Sequence, residues 1–172
     1  MSSNQPTNSP RSASRCSPSC VLTIFGATGD LTRRKLLPAI YDLAAQDLLP
    51  DNFAIVGYGR RPQDETAFRE RMGEGIREFA RLPFDEAKWN WLRERIFYQP
   101  GAYGEAAAHE ALETRLGEVA AQFGIEGNRL YYLSTPPEEF GPIIENLGKV
   151  KKAHKGLKGQ APSTILCNIN SF

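Results

Sequence analysis

Two glycines three residues apart, Gly26 and Gly29, occur in the stretch GATGDL, between an apolar run and a segment of helical character. Glycine has no Cβ, so the chain can turn sharply there and bring its backbone N–H groups close to a ligand. A helix that starts at such a turn adds free amide donors and a partial positive charge, which favour a phosphate or pyrophosphate. The pattern indicates a dinucleotide site, with a purely structural turn as the equally open alternative.

The sequence of the glycine turn excludes one class of nucleotide site but does not identify the ligand. It does not spell the complete G-x-G-x-x-G fingerprint of dinucleotide-binding folds. A P-loop is excluded, because that motif requires Gly-Lys followed by Ser or Thr, whereas Gly29 is followed by Asp30 and Leu31.

A pair of arginines follows the second predicted strand, in the sequence GYGRR. Near the end of this strand, a carboxylate accepts from the ribose hydroxyls of NAD, whereas an arginine accommodates the 2′-phosphate of NADP. Here no carboxylate occurs before Asp64, and Arg60 is the candidate for the phosphate contact. We predict a preference for NADP over NAD; if the glycine turn binds nothing, two solvated arginines are the alternative interpretation.

Alternating strands and helices would position these residues at one edge of a sheet. Apolar, β-branched runs predict strands over residues 21–25, 53–58, 96–98 and 129–133, with 164–169 as a possible edge strand. Amphipathic spacing predicts a helix from Leu31 onward and helices over residues 64–80, 84–95, 106–123 and 138–147. Pro38 indicates either that the first helix proper begins just before it or that its first turn is kinked. The predicted fold class is α/β, a doubly wound, mostly parallel sheet of the Rossmann type.

Composition restricts the classes of protein to which the chain can belong. Its 172 residues, 24% charged, with a net charge of +1, are typical of a globular domain and give no argument for nucleic acid binding. No apolar run approaches the roughly 20 residues that a membrane-spanning helix needs. The three cysteines are too scattered for a disulfide scaffold or a metal site. We expect a cytoplasmic protein without a bound metal and without nucleic acid or membrane partners.

Polar segments flank the predicted α/β unit. Residues 1–20 are rich in serine and proline and contain no acidic residue, which predicts a disordered extension. Residues 21–149 would form the NADP-binding Rossmann domain. Residues 150–172 begin with a lysine-rich run and are predicted to be a divergent, poorly ordered basic tail.

Three blocks of sequence closely resemble the amino-terminal coenzyme domain of the glucose-6-phosphate dehydrogenase family: GATGDLTRRKLLPAIYDL, IVGYGRR and NRLYYLSTPPEEFGPIIENLGK. The similarity runs from about Val21 to Lys149. It implies oxidation of glucose 6-phosphate to 6-phosphogluconolactone with hydride transfer to NADP, the entry step of the pentose phosphate pathway.

The resemblance also implies which residues would contact the cofactor. The phosphate-binding turn would comprise Gly26, Ala27, Thr28, Gly29, Asp30, Leu31, Thr32 and Arg33. Arg60 would contact the 2′-phosphate. Ala102 and Tyr103 would line the adenosine side, where the family tends to have an acidic residue. Tyr132, with the turn at residues 134–137, would form the floor beside the nicotinamide.

The catalytic blocks of the family are not found in the sequence. It contains neither Glu-Lys-Pro-Phe-Gly nor the Arg-Ile-Asp-His-Tyr block that carries the substrate-phosphate histidine and tyrosine. Oxidation of a sugar hydroxyl needs a base, typically a histidine oriented by a carboxylate, and we expect His109 and His154 to face solvent instead. The chain is therefore expected to be an incomplete, truncated or altered version of the family fold, without catalytic residues and inactive alone.

Three functional interpretations follow. The chain could be part of a dehydrogenase whose catalytic half, with its glucose 6-phosphate site, is supplied by another polypeptide. It could instead be a non-catalytic NADP-binding or structural fragment. A different Rossmann oxidoreductase with another partner domain is the third. The oligomeric state is not predicted.

Overall fold

The computed structural model of the chain describes residues 18–153 and 163–167. The strands are β1 (Cys20–Phe25), β2 (Phe53–Gly59), β3 (Ile96–Pro100), β4 (Arg129–Leu133) and β5 (Ser163–Cys167). The helices are α1 (Leu37–Ala45), α2 (Glu65–Phe79), α3 (Glu86–Arg93), α4 (Ala106–Gln122) and α5 (Phe140–Ala153). A π-helical turn over Thr32–Leu36 leads into α1, and a 3₁₀ turn over Pro137–Glu139 leads into α5.

The five strands form one parallel sheet in the order β3-β2-β1-β4-β5. In the centre, Ile24 of β1 is opposite both Gly57 of β2 and Tyr132 of β4. The direction in which the chain adds strands reverses between β1 and β4, and ligands of doubly wound sheets bind in the crevice at such a reversal. The predicted Rossmann-type α/β fold is confirmed, and the crevice lies where β1 runs into the glycine turn.

Both faces of the sheet are covered, so β1 and β2 are buried along their whole length. Alternate residues of each strand point to opposite faces. On one face Ile24 and Ile55 pack against the core side of α1, α2 and α3, and on the other Phe25 and Val56 pack against α4 and α5. Burial on both faces explains why these strands are mostly apolar, with Thr23 the buried exception in β1, and show no polar alternation.

The first helix accommodates Pro38 through the preceding π-helical turn. A proline inside an α-helix lacks the N–H that would bond one turn back, and its ring collides with the carbonyl there. A wider π-helical turn moves that carbonyl away. The proline lies in the first turn of α1, as one of the two predicted arrangements required.

The ends of the described chain differ from the predicted boundaries. Helix α5 continues to Ala153, past the boundary that we predicted after Lys149, and Ser163–Cys167 form the edge strand beside β4. That strand is shorter than the predicted 164–169 segment and begins one residue earlier. The predicted extension at residues 1–20 overlaps β1 at Cys20, while its first 17 residues, residues 154–162 with His154, and residues 168–172 lie outside the described part.

The prediction that His109 faces solvent is wrong. Its side chain on α4 is 1% exposed and stacks on Phe25 of β1, with ring centroids 6.0 Å apart. The residue precedes Leu112 by three positions and Leu116 by seven, so it lies on the buried stripe of the helix. The helical spacing of His109 from Leu112 and Leu116 already indicates that its side chain is buried.

Within residues 18–153 and 163–167, no helix has the length and apolar character needed to cross a bilayer. The same part of the chain holds no group of three or more His, Cys, Asp or Glu side chains placed to bind a metal ion.

Candidate nucleotide-binding site

The turn after β1 is shaped by Gly26, whose φ of +80° lies in the left-handed region. A Cβ atom at this position would lie 2.3 Å from the backbone oxygen of Ser134, at the end of β4. The amides of Gly26 and Ala27 both donate to the carbonyl of Tyr58, at 2.9 and 3.2 Å. Two separate features thus require glycine at position 26: the positive φ angle, and the close approach of the backbone at the end of β4.

Hydrogen bonds fix the turn to the helix that follows. The Gly29 amide donates to the Gly26 carbonyl at 2.9 Å, and the buried Thr32 hydroxyl donates to the same oxygen at 3.2 Å. Because the first amides of a helix have no acceptor within that helix, the N–H groups around Asp30 and Leu31 are available to an anion. The glycine turn therefore supplies the geometry that a pyrophosphate requires.

Arg71 of α2 holds the glycine turn through a hydrogen bond to its backbone. Its Nη2 donates to the carbonyl oxygen of Thr28 at 3.0 Å. A guanidinium beside this carbonyl adds positive charge next to the helix start. Arg71 was not among the predicted site residues; its one signal in the sequence is its position next to Met72 on the core-facing side of α2.

A cleft of about 270 Å³ opens at the carboxyl ends of the central strands. Its lining comes from Gly26, Thr28 and Gly29 of the turn, from Arg60, Arg61 and Tyr103, and from residues 134–136 after β4. Segments far apart in sequence therefore meet at the strand-order reversal. The predicted turn, Arg60 and Tyr103 are brought together here.

Arg60 and Tyr103 form the basic and aromatic wall of the cleft. The Arg60 guanidinium carbon lies 5.6 Å from the centre of the Tyr103 ring, and Arg60 Nη1 lies 3.6 Å from Glu139 Oε1. The Arg60 side chain is 67% exposed and can reach a ligand. Burial raises the pKa of Tyr103, opposed by the positive charge of Arg60, so the phenol stays protonated near neutral pH.

The first carboxylate after β2 does not contribute to the cleft. Asp64 caps α2, where its Oδ2 accepts a hydrogen bond from the Ala67 amide at 3.1 Å. A capping aspartate satisfies one of the free amides of its own helix. The strand end that would carry the ribose-binding acid of an NAD site carries Arg60 and Arg61 instead.

The groups that line the cleft fit a dinucleotide phosphate. Thr135 is 3% exposed, and its Oγ1 has no hydrogen-bond partner among the described residues although the residue lines the cleft. Buried hydroxyls normally have a partner. Together with the amides at the helix start and the two arginines, this hydroxyl is a candidate donor for phosphate oxygens.

Several predicted contact residues lie beside the cleft and do not line it. Asp30 forms an ion pair with Arg34 at 3.4 Å, and Arg33 forms one with Glu78 at 2.8 Å. Ala27 is fully buried beneath the turn, Thr32 braces it from inside, and Leu31 is half-buried. Asp30, Leu31 and Thr32 could therefore offer backbone amides, whereas the Ala27 amide donates to Tyr58 and the Arg33 guanidinium is engaged by α2.

Ala102 and Tyr132 occupy different positions relative to the cleft. Ala102 precedes Tyr103, and its carbonyl accepts a hydrogen bond from the Tyr58 hydroxyl at 3.1 Å. The half-buried Tyr132 packs on the core beneath α1, α2 and α3. Its role as the floor beside the nicotinamide stays a prediction.

Buried polar groups hold Tyr103 in place. Its carbonyl oxygen lies 2.9 Å from His109 Nε2 and accepts from Asn146 Nδ2 of α5 at 3.3 Å. Burial lowers the pKa of His109, which favours the neutral ring. The loop between β3 and α4 is thus tied to both helices on that face of the sheet.

Comparisons with known proteins agree on one family. The family model described as "Glucose-6-phosphate dehydrogenase, NAD binding domain" matches residues 23–163. Glucose-6-phosphate 1-dehydrogenase of Chlamydia muridarum is 46% identical over 133 residues, which are 77% of this chain and 26% of that protein. The enzyme of the same name from Leuconostoc mesenteroides is 34% identical over 127 residues, 74% of this chain and 26% of that protein.

Solved structures give the same result. A glucose-6-phosphate dehydrogenase in complex with its substrate glucose 6-phosphate superposes with a TM-score of 0.72 and 27% identity, covering 89% of this chain and 31% of that one. Glucose-6-phosphate 1-dehydrogenase from Mycobacterium avium superposes with a TM-score of 0.69 and 29% identity. That match covers 87% of this chain and 29% of the other. The chain thus spans about a quarter of the length of the relatives that it matches.

The predicted family and the class of cofactor, a nicotinamide dinucleotide, are confirmed by the family model. The glycine turn lies within the matched residues. The chain therefore belongs to the glucose-6-phosphate dehydrogenase family, of which it carries the NAD-binding domain.

Proposed function

We propose that this chain is the NADP-binding part of a glucose-6-phosphate 1-dehydrogenase. The observation that carries the proposal is the position of Arg60, whose guanidinium lines the same cleft as the glycine turn. The carboxylate of Asp64, which follows it in sequence, is engaged at the start of α2. An arginine without a competing ribose-binding acid on the same strand end favours the 2′-phosphate of NADP.

The chain's own residues would bind and orient the cofactor. The amides at the helix start and the Thr135 hydroxyl would hold the pyrophosphate, and Arg60 and Arg61 would surround the 2′-phosphate. Tyr103 would lie beside the adenosine. When bound, NADP supplies the acceptor for a hydride.

Oxidation of glucose 6-phosphate would depend on residues other than those described. The reaction needs a base at the sugar hydroxyl. His109 cannot reach such a substrate, because its ring is enclosed between β1 and α4 and its Nε2 bonds to Tyr103. We propose that the 172-residue chain alone binds NADP and does not turn over glucose 6-phosphate.

Calorimetric titration with NADP and NAD tests the binding proposal. We expect the unaltered chain to bind NADP more tightly, and Arg60→Ala to weaken NADP about ten-fold, the equivalent of one charge-assisted hydrogen bond, while changing NAD little. Arg93→Ala removes an exposed arginine from α3 and serves as the matched control. Equal affinity of the Arg60 variant and the unaltered chain for NADP would remove Arg60 from the site.

Absorbance at the reduced-nicotinamide band tests the catalytic part. We expect no NADPH from the purified chain with glucose 6-phosphate and NADP. Turnover that persists through repurification would show that this chain itself supplies the base that takes the proton from the sugar hydroxyl.

A further inference from the structure

An ion pair crosses the mouth of the cleft. Arg60, which follows β2, extends its Nη1 to within 3.6 Å of Glu139 Oε1, which belongs to the segment after β4. Strands β2 and β4 flank β1 on opposite sides. The pair therefore spans the glycine turn, in front of which a dinucleotide would lie.

Both partners are held in position. Glu139 ends a 3₁₀ turn that begins at Pro137 and is preceded by Pro136, and its amide donates to the Pro136 carbonyl at 3.0 Å. Proline restricts the backbone of this turn, which limits the positions that the Glu139 Cα can take beside the cleft residues 134–136. On the opposite side the Arg60 guanidinium lies over the Tyr103 ring. The Glu139 side chain is 28% exposed, compared with 67% for Arg60, so the arginine is the partner that a ligand can reach more easily.

We propose that Glu139 limits the preference for NADP over NAD by competing with the 2′-phosphate of NADP for the Arg60 guanidinium. The proposal rests on the NADP binding proposed above. To contact the phosphate, the guanidinium must leave the carboxylate or share its donors with it. A ligand without the 2′-phosphate makes no such demand. Glu139 therefore moderates the preference for NADP over NAD.

Charge arithmetic gives the direction of the effect. A phosphate monoester carries between one and two negative charges near neutral pH. A carboxylate that contacts the same guanidinium repels that phosphate, and an exposed ion pair that has to be exchanged for it lowers the affinity about two- to five-fold. Glutamine keeps the shape of the side chain and removes its charge. Glu139→Gln should thus strengthen binding of NADP.

Titration of the full chain with NADP and with NAD, at one fixed ionic strength, tests the proposal. We expect Glu139→Gln to bind NADP about two- to five-fold more tightly and NAD with less than a two-fold change. Glu138→Gln removes the same charge from the exposed neighbouring residue and is the matched control, with an expected change below two-fold. In an Arg60→Ala background, the effect of Glu139→Gln should fall to that of the control.

Three results would overturn the proposal: unchanged or weaker NADP binding by Glu139→Gln, an equal gain for NAD, or a gain that persists without Arg60. Weaker binding would mean that Glu139 orients the guanidinium for the phosphate. If the unaltered chain binds NADP but Glu139→Gln behaves like the control, only this proposal fails. If the unaltered chain binds no NADP, the proposed function fails with it.

Discussion

Gly26 and Ser134 approach each other so closely that a Cβ atom on Gly26 would lie 2.3 Å from the Ser134 backbone oxygen. This contact joins the turn after β1 to the end of β4. Neither backbone can move away easily, because the Ser134 amide also donates to the carbonyl of Phe25 at 2.9 Å. Backbone contacts thus fix the shape of the crevice at the point where the strand order reverses.

Gly26→Ala should destabilise the fold. The alanine would have to adopt a φ of +80° and displace the end of β4, so we expect a loss of about 2–3 kcal/mol in the free energy of unfolding. Urea denaturation measures it. Gly117→Ala on the open side of α4 is the control and should stabilise by about 0.5–1 kcal/mol. Equal stability of the two variants would contradict this account of the turn.

Arg71→Met should weaken NADP binding and change the free energy of unfolding little. The substitution removes the donor to the Thr28 carbonyl but keeps an apolar stem against α2. We expect about a five-fold loss of affinity, because the turn becomes less rigid and a positive charge near it is lost. Calorimetry with NADP measures it, and the exposed Arg93→Met provides the comparison. Identical affinities would show that Arg71 has no part in positioning the turn.

Glu65→Ala should destabilise the β3 edge of the sheet. The Glu65 Oε2 accepts from the Tyr98 amide at 3.1 Å and from Arg115 at 3.0 Å, while its Oε1 lies 2.8 Å from Arg69. Alanine leaves an edge-strand amide and two guanidinium groups without this acceptor, at a cost of about 1–2 kcal/mol. The comparison is Glu70→Ala, at an exposed site of the same helix, for which we expect a change below about 0.5 kcal/mol.

His109 should make the stability depend on pH. Because burial lowers its pKa in the folded chain, the unfolded chain binds the proton more readily. The free energy of unfolding should hence be constant above about pH 6.5 and fall at lower pH, by up to about 1.4 kcal/mol per pH unit. Denaturation at pH 7.5 and 5.5 measures the loss. His109→Phe keeps an aromatic ring beside Phe25 and should show a smaller loss; an equal loss would assign it to other groups.

The local patterns of the sequence were sufficient to predict the fold class, and they located the candidate site at the turn after β1. Apolar runs and helical spacing predicted four strands and the order of the helices. The glycines of the turn predicted a phosphate site because only residues without a Cβ can form so tight an approach. The arginines after β2 predicted the charge of the cleft. These properties depend on neighbours within a few residues, so one sequence carries them.

The partners of these residues were decided by the tertiary structure. Arg60 and Glu139 are 79 positions apart, and Arg71 reaches Thr28 across 43. His109 is buried because Phe25 of β1 lies opposite its stripe of α4. Strand order brings β2, β1 and β4 side by side and thereby places their carboxyl ends around one cleft. A charge or an imidazole acquires its role from the groups that packing brings within a few ångströms, and residue spacing along the chain does not specify those groups.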